Sequence, residues 1–214
     1  KDDGYFAGAF INMLPFLGWN PGTEQEIFSI NNLVESFDLK RVGKSGAKFS
    51  AEKAQWFNQQ YMQSKESDEL AKAYAQILKE KGITKNSAFI EKVVSCVKER
   101  ATFVSDFWSL SSFFFEAPTT YDAKASKKNW KEETAALMEE LILKISSITV
   151  FSSENTEKEI KEWILTKDIG FGKVMQPLRL SLVGALKGPH LFDIIEMIGK
   201  EETVQRLKNA IKNL

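Results

Sequence analysis

Apolar positions recur at intervals of three and four residues through most of the chain, the period of helices buried on one face. Behind Ser67, the run Asp68 to Lys79 places Leu70, Ala73, Tyr74, Ile77 and Leu78 on one stripe, with Gly82 where a helix would end in a left-handed turn. Ser50 stands as a cap before Ala51 to Phe57, with Glu52 in the first turn. Thr156 and Glu159 have the spacing of a capping box and predict a helix start before Ile160, Trp163 and Ile164. Further helices are predicted over Ala88 to Glu99, Thr102 to Phe115, Trp130 to Ser146, Pro189 to Ile198 and Lys200 to Asn213. Alternation of period two is nearly absent, short strands being possible only near Arg41 to Phe49. The pattern predicts an all-α fold.

Two breaks interrupt it: a polar stretch at Gln63 to Ser67, and Glu116 to Lys128, which holds Pro118 and a lysine cluster. No internal repeat or low-complexity tract is present. A length of 214 residues suits one large domain or two small ones. Lys plus Arg and Asp plus Glu both number 29, so the surface as a whole is not a polycation; a basic face balanced elsewhere stays open. No run reaches the roughly 18 to 20 apolar residues of a membrane span. The opening Lys1-Asp2-Asp3-Gly4-Tyr5 has neither an initiator Met nor the order of a signal peptide, and reads as a piece of a longer chain.

Candidate chemistry is sparse. One cysteine, Cys96, on an apolar helical face, points to a reducing compartment and a buried thiol. The one histidine, His190, lacks ligand partners and reads as a capping or surface residue, so no metal site is expected. Gly43-Lys44-Ser45 invites a phosphate-loop reading, but the glycine needed five residues earlier is Asp38, whose carboxylate would repel phosphate. Phe103, Phe107, Leu110 and Phe114 repeat as a core stripe rather than as base-stacking platforms, with Trp108, Phe113 and Phe115 off it. The pairs Glu139-Glu140 and Glu201-Glu202 fit solvated helix faces. No nucleophile–base constellation is found, and no catalytic residue is assigned.

Three stretches together resemble one family. Gly4-Tyr5-Phe6-Ala7-Gly8-Ala9-Phe10 runs through Leu17-Gly18-Trp19-Asn20-Pro21-Gly22 to Ser29, like the segment beyond the KMSKS signature of glutamyl-tRNA synthetases. Phe37 to Tyr61, with Phe49-Ser50, Lys53 and Trp56-Phe57-Asn58, is similar to that family's tRNA stem-contacting region. Gln176-Pro177-Leu178-Arg179, then Gly188-Pro189, Leu191-Phe192-Asp193-Ile194-Ile195 and Gly199-Lys200-Glu201 look like the closing anticodon-binding helices of the bacterial type. The resemblance covers residue 4 to the end. Pro15 departs from it and should kink its helix.

The resemblance implies a class I synthetase shorn of its catalytic domain: a stem-contact region over 1–63 and a helical bundle or cage for the anticodon over 64–214, which could divide into about 64–118 and 119–214. HIGH and KMSKS are absent, so the chain should hold no cofactor, whereas the intact enzyme would use ATP and Mg to attach glutamate to tRNA(Glu). It further implies that Arg100 and Arg179 contact the anticodon. Gly188, where some relatives carry threonine, would offer backbone alone. Lys44, Lys48 and Lys98 are candidate contacts to the tRNA backbone. A monomeric, cytoplasmic tRNA(Glu) binder with no DNA or membrane partner is the expectation. Its rivals are a stand-alone helical protein-interaction module, which would expose an apolar patch, and a small complete enzyme, which would need a pocket of convergent polar groups.

Overall fold

The computed structural model describes residues 4–44 and 48–214. The described residues form α-helices joined by turns and short 3-10 segments, with one isolated antiparallel bridge, Trp19 to Val42, in place of strands. Of the possible 41–49 strand, Val42 forms this bridge and the Gly43 N–H donates to the Gly18 carbonyl at 2.6 Å; residues 45–47, Ser45 among them, lie outside the described residues. The chain divides into two compact units, residues 1–110 and 111–214.

In the first unit, α1 (Ala7–Met13) packs on α3 (Ala51–Ser64) through Ala9, Met13, Ala54 and Phe57. Pro15 ends α1 rather than kinking it, because it falls in the first turn of a following 3-10 segment, Leu14–Leu17, where its missing N–H costs nothing. α2 (Ile30–Ser36) adds Leu33 to a small cluster with Trp19 and Phe28. Asp38 caps a 3-10 turn, Leu39–Arg41, by accepting from the Lys40 N–H at 2.9 Å.

α4 (Ser67–Glu80) and α5 (Ser87–Val97) pack together, burying Leu70, Tyr74 and Leu78 against Ile90, Val93, Val94 and Val97. Glu66 occupies the cap position of α4 and Ser67 is its first helical residue, one position from the predicted cap. Gly82 ends the α4 turn at φ +75° as predicted. Cys96 is only half-buried, since it sits at the edge of the α5 stripe. α3 also bonds beyond residue 63 within this unit, through Asn58 to the Thr102 carbonyl and Gln63 to the Glu99 carbonyl.

The single helix predicted over 102–115 is broken in two. The Asp106 carboxylate accepts from the backbone N–H groups of Thr102 and Phe103 at 2.9 and 2.8 Å, so the helix α6 starts only there (Asp106–Ser111) and passes into a 3-10 turn, Ser112–Phe114. That change of period buries Phe113 along with Phe107 and Phe114, although Phe113 lies off the predicted stripe.

In the second unit, α7 (Ala123–Asn129), capped by Asp122, occupies the lysine-rich stretch that reads as a break in the sequence. α8 (Thr134–Ser147), α9 (Ser153–Thr166), α10 (Phe171–Val183), α11 (Leu191–Ile198) and α12 (Lys200–Asn213) surround one core built from Met138, Leu141, Ile145, Ile160, Ile164, Leu178, Phe192, Ile195 and Leu207. The predicted capping box of α9 is not used. Ser152 caps the helix instead, Thr156 is buried within it, and Glu159 pairs with Lys144 of α8 at 2.5 Å. The hydrogen bond from Lys144 holds the Glu159 carboxyl below the usual carboxylate range.

Arg206 of α12 fastens this unit from inside. It is 2% exposed, pairs with Glu202 at 2.7 Å, and donates to the carbonyls of Phe113 and Leu182 at 2.5 and 2.9 Å. Arg206→Met would strand both carbonyls. It is expected to lower the unfolding free energy by about 2 to 4 kcal/mol, read from urea denaturation, with Arg206→Lys recovering part of the loss. Gly184 ends α10 at φ +79°, and a Cβ there would lie 2.6 Å from the Thr120 carbonyl oxygen. Backbone cannot retreat cheaply, so Gly184→Ala should cost roughly 1 to 3 kcal/mol in the same assay, against a few tenths for Ala at Gly170, whose Cβ would meet nothing.

Candidate nucleic-acid interface

Arg100 ends a 3-10 turn, Lys98–Arg100, that follows α5. The turn is held by α3: Gln59 and Gln63 donate to the Glu99 carbonyl at 3.4 and 3.3 Å, and Asn58, fully buried, donates to the Thr102 carbonyl at 2.6 Å while accepting from the Phe6 N–H at 2.8 Å. The backbone around Arg100 is thus fixed on both sides, yet its own side chain is exposed and makes no hydrogen bond or ion pair among the described residues. A rigid fork of five donors presented to solvent can bind a base edge in two places or clasp a phosphate.

The predicted backbone contacts differ in their surroundings. Lys98 is half-buried and its ammonium donates to the Lys65 carbonyl at 3.1 Å, which makes it an anchor of the Arg100 turn. Lys44 and Lys48 are both exposed, with three undescribed residues between them.

In the second unit, Arg179 and Gly188 come together. The Arg179 guanidinium donates through Nη1 to the Pro189 carbonyl at 2.9 Å and the Lys187 carbonyl at 3.5 Å. Gly188 takes φ +119°, and a Cβ there would lie 3.6 Å from Arg179 Nη1 and 3.5 Å from the Phe113 ring. The left-handed φ, which glycine adopts without strain, lets the 187–189 backbone turn two of its carbonyls toward Arg179 Nη1.

Arg179 lines a cavity of about 520 Å³, with Gln176, Phe171, Lys161, His190 and Phe192 among its walls. This volume suits a small planar group, and the lining offers an exposed aromatic, an amide and the Arg179 guanidinium for stacking and hydrogen bonding, with Lys161 paired to Glu157 at 2.6 Å. His190 holds the N-cap position of α11 on the surface, 3.4 Å from both Asp193 and Glu157. The cavity's neighbouring residues Phe171, Gln176 and Lys161 escape a search for chemical motifs. The available signal is that Phe171 and Arg179 lie two turns apart on one helical row, with an aromatic exposed at its head.

The first unit carries a larger, apolar cavity of about 940 Å³, lined by Tyr5, Phe6, Phe10, Ile11, Phe49 and Phe103. Among the described residues no cluster of His, Cys, Asp and Glu could hold a metal ion, and no helix is long and apolar enough to cross a membrane.

Comparison with known proteins agrees with this geometry. The family model for the anticodon binding domain matches residues 51–211. The glutamate–tRNA ligase of Flavobacterium johnsoniae is 56% identical over all 214 residues, which cover 42% of its length, and that of Porphyromonas gingivalis is 44% identical over the same share. A crystal structure of a glutamate tRNA ligase from Elizabethkingia meningosepticum in complex with its amino acid superposes on the whole chain with a TM-score of 0.94 at 47% identity, over 42% of that chain. A second, from Elizabethkingia anophelis, gives 0.91 at 46% identity over 99% of this chain and 41% of its own. The chain thus spans less than half the length of the relatives it matches. It belongs to the anticodon-binding-domain family, and it matches the carboxy-terminal part of glutamate–tRNA ligases.

Proposed function

We propose that this chain reads the anticodon of tRNA(Glu) for a glutamate–tRNA ligase, with Arg100 and Arg179 each contacting a base. The observation that carries the reading is Arg100: an exposed guanidinium on a turn whose backbone is fixed by Asn58, Gln59, Gln63 and Asp106. Such immobilisation has no use in a surface salt bridge. It lowers the entropy lost when a partner binds, which is what a recognition residue needs. In the second unit Arg179 and the Gly188 backbone would serve at the mouth of the 520 Å³ cavity. Residues 1–63, with Lys44 and Lys48, would meet the tRNA stem, and Lys98 would act by holding the Arg100 turn. The intact protein would work in the cytoplasm as a monomer, using ATP and Mg.

The apolar cavity of the first unit favours one rival, a protein-interaction module. The match of the entire chain to glutamate–tRNA ligases outweighs it.

Because Asp38 defeats the phosphate loop and no catalytic signature is present, the 214-residue chain should neither bind ATP tightly nor activate glutamate. Glutamate-dependent pyrophosphate exchange clearly above a blank would overturn this. For specificity, Arg100→Gln should erode the preference for glutamate over glutamine transcripts, whose anticodons differ at the third base, by about 1 to 3 kcal/mol or roughly 5- to 150-fold. A uniform loss for both RNAs would make Arg100 a phosphate anchor, and no change would remove it from the interface.

A further inference from the structure

Beside the Arg179 cavity lies a second one, of about 470 Å³, and its walls are basic. Lys128 from the end of α7, Lys131 from the turn that follows, and Lys173 from the first turn of α10 line it, against one carboxylate, Glu133. All three lysines are exposed, and among the described residues none has a carboxylate within ion-pair distance. In a chain with equal numbers of acidic and basic residues, three unpaired cations around one concavity are a local excess that the fold has assembled from two separate segments. The supporting geometry is fixed. Asp122 caps α7 through the Ala125 N–H at 2.7 Å, and the Lys131 N–H is bonded to Thr134 Oγ1 at 2.9 Å. The Lys131 ammonium spends one of its three donors on the Lys127 carbonyl, at 2.8 Å.

The position of this cavity identifies what it would take. Gln176 lines both cavities, and the first turn of α10 separates them. From Lys173 to Arg179 the helix rises roughly 9 Å, at about 1.5 Å per residue. A nucleotide strand whose base enters beside Arg179 and whose backbone follows this helix brings its neighbouring phosphates to the lysines. At Gly170 and Gly172 the cavity wall is bare main chain, which permits close approach of a bulky charged group: a Cβ at Gly170 would meet nothing within 4 Å.

We infer that the cavity formed by Lys128, Lys131 and Lys173 binds phosphodiester groups of the RNA strand whose base is read beside Arg179. This rests on the RNA-reading function proposed above. Three point charges on flexible stems suit phosphate oxygens and carry no base information, so the site sets affinity and register while Arg179 sets sequence. It also gives a role to Lys128, the last residue of the lysine-rich break at 116–128.

The test uses the 214-residue chain and a tRNA transcript bearing the glutamate anticodon, with binding measured between about 50 and 200 mM salt. The combined variant Lys128→Gln, Lys131→Gln and Lys173→Gln should bind at least tenfold more weakly at the low end. Its slope of log affinity on log salt should be shallower by about 2, from ~0.7 per lost phosphate contact to single-stranded RNA. Its preference among anticodons should be unchanged. A control removes three other exposed lysines of the same unit, Lys158→Gln, Lys208→Gln and Lys212→Gln, and should leave the slope within ~0.5 of wild type. An unchanged slope in the first variant, or an equal change in the control, overturns the site. If Arg179→Gln abolishes anticodon preference while the triple variant binds normally, the phosphate site fails and the reading at Arg179 stands. If the unaltered chain binds no tRNA, that reading falls and this inference with it.

Discussion

A short helix leaves much of its backbone unpaired at its ends, and a fold made of helices six to fourteen residues long is governed by where those groups find partners. In this chain a few buried polar side chains take that duty. Asn12 accepts from Phe28 N–H at 2.9 Å and donates to the Glu26 carbonyl at 3.2 Å, so it fixes an extended segment that belongs to no helix. Asn58 joins Phe6 to Thr102, and Arg206 gathers the carbonyls of Phe113 and Leu182. Each bond adds little net stability, but each group left unpaired in a buried site would cost more than the bond is worth. The core stripes decide that the helices pack; these residues decide where the connections run.

The connections are where the proposed contacts sit. Arg100 ends a turn whose Glu99 carbonyl is claimed by two side chains of α3, and the Arg179 guanidinium is claimed by carbonyls of the loop that carries Gly188. The two solutions are opposite in kind. At Arg100 the backbone is immobilised and the side chain is exposed. At Arg179 the side chain is immobilised, and the backbone conformation that allows it requires a residue without a Cβ. Both reduce the freedom that binding would otherwise have to remove.

What the sequence could reveal follows the same division. Helices with a clear apolar stripe and ordinary ends, such as α4, α5, α11 and α12, are legible to within about two residues, the usual uncertainty at helix ends. Elements shaped by side-chain to backbone bonds are not. Within 102–115, Asp106 sets the start of α6, because its carboxylate accepts from the Thr102 and Phe103 N–H groups as a first-turn acid does at a helix start. Thr156 and Glu159 have capping spacing, but Ser152 lies four residues earlier and offers its hydroxyl first, to the Asn155 N–H. α7 hides among lysines because it is short and Ala125 is its one buried residue. α10 carries Pro177 in its interior, a residue that argues against a helix, and the surrounding core keeps it helical. Arg206 was discoverable in principle. It falls on the buried stripe of α12 with Thr203, Leu207 and Ala210, and a cation on an apolar stripe must be paired from inside.

The zero net charge bears on mechanism as well. At about 0.1 M salt, fields from exposed charges fade over ~10 Å, so the chain's overall balance matters less to an approaching polyanion than the charges within that distance of its contact. A balanced chain can therefore still present a strongly cationic concavity, provided the fold assembles it locally and leaves it unpaired. Lysines away from it do pair: Lys144 with Glu159 and Lys72 with Asp68. A uniformly basic surface would attract every nucleic acid alike. Under the proposed function, neutrality with local excess would confine attraction to the surroundings of the lysine-lined cavity, and weak background binding would leave discrimination to short-range contacts.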